Sequence, residues 1–137
     1  MGIRWQELII LKASTTISKQ FPNVSILEPC EKEWDKLLRT SGVEQKYTDL
    51  LIRRLALLST LGAEMACSAR SDWFELIEPT VYSMRFDRIK PINLRILFTE
   101  EDGQILLCAF NEQNSSDYKR AARLARNRME SARNDNE

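Results

Sequence analysis

The sequence predicts an α+β fold: a small sandwich in which an antiparallel sheet is covered by an N-terminal helical hairpin, with a further helix at the C-terminus. Three observations lead there. Two apolar stripes at helical spacing lie between Glu31 and Leu61. Three short runs rich in β-branched, aromatic and aliphatic side chains follow between Val81 and Phe110. A last amphipathic stretch, from Asp117 to about Ala132, closes the order. At 137 residues the chain suits one domain with its own core, and 43% hydrophobic with 29% charged residues is an ordinary globular composition. The expected organisation is an N-terminal extension of unassigned structure over residues 1–23, a domain over 24–133, and a fraying end over 134–137.

Taken in order, Trp5 to Lys12 fits a short helix or a strand equally well, because so few residues carry no decisive periodicity. The polar stretch from Ala13 to Asn23 reads as a connection ending at Phe21-Pro22. Val24 to Glu28 alternates enough for a first strand, stopped by Pro29. From Glu31 to Thr40, acids gather in the first turn, and Trp34, Leu37 and Leu38 form a stripe before Gly42. A longer helix is predicted from about Glu44 to Leu61, with Tyr47, Leu51, Leu55 and Leu58 inward, Arg53 and Arg54 outward, and Gly62 as its cap. Ala63 to Pro79 is ambiguous, with a strand or turn near Trp73 to Ile77. Then come the three runs Val81 to Phe86, Asn93 to Phe98 and Ile105 to Phe110, the last two joined across Asp102-Gly103 as a hairpin. On the final helix Tyr118, Ala121, Ala122, Ala125 and Met129 make a narrow face of mostly small residues, beside a basic stripe of Lys119, Arg123 and Arg126. The helices are expected on one side of the sheet.

What the chain lacks narrows its chemistry. It has no histidine, so nucleophile systems activated by histidine and histidine-ligated metals are excluded. Cys30, Cys67 and Cys108 are odd in number and widely spaced, which implies reduced thiols, with Cys108 in the core. The four glycines form no phosphate-binding loop. Neither a cofactor nor a metal is expected. Lysine plus arginine and aspartate plus glutamate stand at 20 each, so net charge points to no nucleic acid. Positive charge nevertheless gathers near the C-terminus. No apolar run spans a bilayer and the N-terminus lacks the plan of a signal peptide, so a cytoplasmic location without membrane attachment is expected.

The remaining chemistry is that of arginine. Alternation along Val81 to Phe86 puts Tyr82, Met84 and Phe86 on one face and Ser83 and Arg85 on the other. A charge in a central strand must reach solvent or a partner, so Arg85 and Arg95 are expected to share a wet, concave face. The planar fork of arginine suits a phosphate. The plainer alternative is that they pair with acids such as Glu75 or Asp87. Arg88 and Lys90 lie in the intervening loop, where they serve a phosphate or only water.

The block Tyr82-Ser83-Met84-Arg85, Arg95-Ile96-Leu97-Phe98 and Ile105 to Phe110, with the leucine-rich Leu57 to Gly62 before it and Ala121 to Arg126 after it, resembles the RelE/ParE superfamily of bacterial toxins, in particular its HigB-like, phage-derived branch. The resemblance covers roughly Glu31 to Arg133. It implies a RelE-like toxin domain and the toxin of a type II toxin–antitoxin system: a ribosome-dependent endoribonuclease, cleaving messenger RNA without a metal or small-molecule cofactor by attack of a ribose 2′-hydroxyl on the adjacent phosphate. Its partners would be messenger RNA on the ribosome and a cognate antitoxin protein. Arg85, Arg95 and Tyr118 take the catalytic roles by this resemblance, and Arg88, Lys90, Lys119, Arg123 and Arg126 would contact RNA. One departure stands out. The family usually places a lysine pair after the phenylalanine of the third strand, where this chain has Asn111-Glu112-Gln113, and a carboxylate there repels phosphate. A catalytically silent binding module on the same fold and a ParE-type gyrase inhibitor are the alternative readings.

Overall fold

The computed structural model describes residue 17 and residues 19–135, with side chains to residue 132. The extension from Trp5 to Lys12 lies outside these residues. Ile17 is helical and only 1% exposed, so the polar stretch before Phe21 contributes to the core. The elements are β1 (Val24–Ile26), α1 (Glu28–Leu38), α2 (Glu44–Leu61), α3 (Ala63–Ala69), β2 (Phe74–Glu78), β3 (Val81–Arg85), β4 (Leu94–Glu100), β5 (Gln104–Asn111) and α4 (Ser115–Asp135).

The five strands form one sheet in the order β1-β5-β4-β3-β2. It is mixed rather than wholly antiparallel, because β1 runs parallel to β5. The alternation past Val24 ends early, since Pro29 sits in the first turn of α1, where its missing N–H is no loss. Gly103 in the β4–β5 connection, at φ +125°, lies where a Cβ would fall 2.1 Å from the Asn23 carbonyl oxygen. That carbonyl accepts from the Gln104 N–H, so the glycine lets β1 dock on β5.

The helices lie on both faces, which corrects the one-sided expectation. On one face Trp34 and Leu38 from α1, Tyr47, Leu51, Leu55 and Leu58 from α2, and Ala63 and Ala66 from α3 cover Phe74, Met84, Leu94, Ile96, Phe98 and Leu106. Here α1 lies against β5, while α2 neighbours α3. On the other face Ala121, Ala125 and Met129 of α4 pack on Val81, Leu97, Leu107 and Cys108. The apolar alternation breaks at a register shift between Leu97 and Phe98, where Leu107 is the extra residue; Leu107 and Cys108 then share one core.

Beyond β1 the edge of β5 would be bare, and an ion pair covers it. Glu33 of α1 accepts from the Ala109 N–H at 3.1 Å, and Arg128 of α4 donates to the Leu107 carbonyl at 2.8 Å. The two side chains also join each other in paired contacts of 2.8 and 2.9 Å. Among the described residues no helix is long and apolar enough to cross a membrane.

Candidate nucleic-acid interface

Arg85 and Arg95 are direct cross-strand partners on β3 and β4. In that register two side chains stand about 5 Å apart at Cβ, and like charges so placed destabilise a sheet. Each guanidinium is therefore met by its own carboxylate. Glu75 of β2 pairs with Arg85, as the plainer sequence reading allowed, and both are partly exposed. Glu112, just past β5, stands 3.1 Å from the Arg95 Nε. The Arg95 Nη1 also donates to the carbonyls of Phe86 at 3.2 Å and Leu94 at 3.0 Å, and to Asn93 Oδ1 at 3.2 Å. With 37% of its side chain exposed, Arg85 is the accessible member; Arg95, at 16%, forms the floor.

Tyr118 joins the same face from the first turns of α4. Its hydroxyl hydrogen-bonds Ser83 Oγ on β3, and its ring stands edge-on to Phe110 with centroids 5.3 Å apart. Phe110 is the cross-strand partner of Arg95. Tyr118 thus packs helix to sheet and also holds its hydroxyl beside the strand that carries Arg85. The start of α4 is fixed by Asp117, whose carboxylate accepts from the Gln113 and Asn114 N–H groups at 2.8 and 3.0 Å. Those two bonds hold its carboxyl below the usual carboxylate range.

The backbone behind Arg85 is held by a residue that sequence reasoning placed outward. Arg53 is exposed, but Arg54 is 2% exposed and among the largest fully buried side chains. Its Nε donates to the Arg85 carbonyl at 3.0 Å, and its guanidinium carbon lies 3.8 Å from the centre of the Trp73 ring. Arg70 stacks on the same ring at 3.7 Å. Burial pulls the Arg54 pKa down, opposed by Asp87. The ring and the carbonyl give its charge the partners that water would otherwise supply. The Arg85 N–H in turn donates to the Trp73 carbonyl at 2.8 Å.

Beside Arg95 opens a cleft of about 560 Å³ between the β3–β4 connection, with Arg88, Pro91 and Asn93, and the turn from Asn111 to Ser115. Buried Tyr47 anchors the β3–β4 connection, since its hydroxyl donates to the Ile92 carbonyl and accepts from the Ile89 N–H. Asn93 ties the walls together: its N–H donates to Asn111 Oδ1 at 2.9 Å, and its Nδ2 to the Glu112 carbonyl at 3.1 Å.

Of the basic residues marked in the sequence, Arg88 reaches this cleft and Lys90 is exposed in the same connection. Lys119 and Arg123 are exposed on α4. Arg126 is engaged instead, with its Nη1 2.7 and 2.6 Å from the two carboxylate oxygens of Glu78. Cys108 is 1% exposed and burial pushes its thiol up to about 12, so it is a core residue and no nucleophile. No family model, curated protein or solved structure matches this chain.

Proposed function

We propose that the chain is the toxin of a type II toxin–antitoxin system, a RelE-like, HigB-related endoribonuclease that cuts messenger RNA on the ribosome. One observation carries this reading: Arg85 and Arg95 face each other across two central strands, with the Tyr118 hydroxyl on the same sheet face. Structural economy does not call for two cations in direct opposition. A phosphate between them does, because it gives both guanidiniums one shared anion. The sheet with helices packed before it in the chain and α4 after it supports a RelE-like arrangement.

In this mechanism the RNA backbone lies across the face with the scissile phosphate between the two guanidiniums. The ribose 2′-oxygen loses its proton and bonds phosphorus, the bond to the 5′-oxygen breaks, and that oxygen takes up a proton. The products are a 2′,3′-cyclic phosphate and a 5′-hydroxyl. Arg85 and Arg95 stabilise the charge that builds on the phosphoryl oxygens. Tyr118, oriented by Ser83, handles a proton. Arg88 and Lys90, with Lys119 and Arg123, give the surrounding phosphate contacts. The cognate antitoxin would silence the protein by covering this face.

A specific observation favours a second reading, a catalytically silent binding module: Glu112 stands against Arg95 where the family usually has lysine. Induced expression in a bacterial host separates the possibilities. The nuclease reading expects growth arrest with loss of translation and new message ends, abolished in Arg85→Ala and Arg95→Ala. Arrest of replication instead would identify a gyrase-directed toxin. A folded protein that neither arrests growth nor cuts message would be the silent module.

A further inference from the structure

The cleft beside Arg95 has the wrong chemistry for a second phosphate. It carries one cation, Arg88, and is otherwise walled by side-chain amides, the carboxylate of Glu112, the Ser115 hydroxyl and Pro91. Its volume of about 560 Å³ lies within the range of small-ligand sites. Amides carry both donors and acceptors, as the edges of nucleobases do, whereas a carboxylate only accepts.

The bonds already made decide what remains. Asn111 uses its carbonyl oxygen on the Asn93 N–H, which leaves its NH2 for an outside acceptor. Glu112 Oε1 lies 3.1 Å from the Arg95 Nε as an ion pair without the alignment of a hydrogen bond, and its side chain is 25% exposed. A carboxylate, with two acceptor oxygens, is best matched by two adjacent N–H donors on one edge. Guanine presents that pair, N1–H and the N2 amine, beside the O6 acceptor. Adenine and cytosine each place one amine beside a ring acceptor, and uracil offers a single N–H.

We infer that this cleft binds one unstacked guanine, with Glu112 accepting from N1–H and N2–H, Asn111 donating to O6, and Arg88 meeting the attached phosphate. This rests on the reading that the arginine face meets RNA, and it names the base next to the phosphate held there. Glu112, which opposes phosphate binding, then acts as the determinant of base choice.

The test is titration of the full chain with 5′-GMP, 5′-AMP, 5′-CMP and 5′-UMP, followed by amide chemical shifts. GMP is expected to bind at least roughly ten-fold more tightly than the others, as one good bidentate base contact provides, with the largest shifts from Asn111 to Asn114. Glu112→Gln, which replaces an acceptor with a donor while the spectrum stays that of the native fold, should erase the preference. Equal affinity for all four, no binding at millimolar concentration, or a GMP preference that survives in Glu112→Gln would overturn the inference. Message cleavage with no guanine beside the cut overturns it while leaving the nuclease intact. A GMP preference in a protein that cuts nothing supports the cleft and removes the nuclease.

Discussion

The two faces of the sheet are built from different materials, and the difference separates stability from function. The face under α1, α2 and α3 is filled with large side chains: Trp34, Tyr47, Phe74 and Phe98 among the leucines of α2. The face under α4 is closed by Ala121, Ala125 and Met129 over a shorter apolar strip. Beyond that strip it turns polar, with Ser83 and Arg85 along β3, Arg95 opposite Arg85 on β4, and the Tyr118 hydroxyl of α4 against Ser83. Large apolar residues on one side secure the sheet. The other side can then carry opposed arginines at its end, one accessible and one closed over, without losing the fold.

Substitutions at matched positions on the two faces test this division. Leu55→Ala, at a position with no exposure on the crowded face, is expected to destabilise by about 3 kcal/mol, the usual cost of a large cavity. Chemical denaturation measures it, and a loss well under 1 kcal/mol would mean that face relaxes easily. Ala125→Leu, also with no exposure, should cost about 1–3 kcal/mol by overpacking α4 against β4 and β5. If the larger side chain is neutral there, the close approach of α4 is not what the small residues provide.

The arginines should respond unequally. Arg95→Ala removes the donor to two carbonyls and Asn93 from a side chain 16% exposed, and should cost about 1–2 kcal/mol. Arg85→Ala breaks a partly exposed ion pair and should change stability by under about 1 kcal/mol. Thermal unfolding of the two single variants compares them. The reverse order would make Arg85 the structural member.

Much of the fold could be read from pattern alone. The inward positions of α2, the opposite faces of Tyr82 and Arg85, and the small-residue face of α4 all follow from side-chain periodicity, and the core confirms each one. The position of α4 also had a signal: Ile96, Leu97 and Phe98 are apolar on consecutive positions, which a strand needs only when both of its faces are covered. Pairing at a distance was less legible. Arg54 beside Arg53 looks like a surface charge, because what buries it is the Trp73 ring and a carbonyl of β3, neither of which is local in sequence. For the same reason Arg95 reads as exposed on a strand face, although Asn93 and Glu112 close over it. The parallel pairing of β1 leaves no trace in a three-residue strand. In the site, the shared face of Arg85 and Arg95 was accessible from alternation, whereas Tyr118 came only through the family resemblance and the cleft depends on two turns meeting through Asn93 and Asn111.

The central claim is that the opposed arginines act on RNA, and cleavage of ribosome-bound message by purified protein tests it most directly. Wild type, Arg85→Ala, Arg95→Ala and the double variant would be compared at matched folded concentration, with the ends of each fragment analysed. The account predicts fragments ending in 2′,3′-cyclic phosphate from the wild type, a loss of roughly a hundred-fold or more in rate for each single variant, as for other groups that stabilise transition-state charge, and none from the double. A double variant that is folded and cuts as fast as wild type would contradict it.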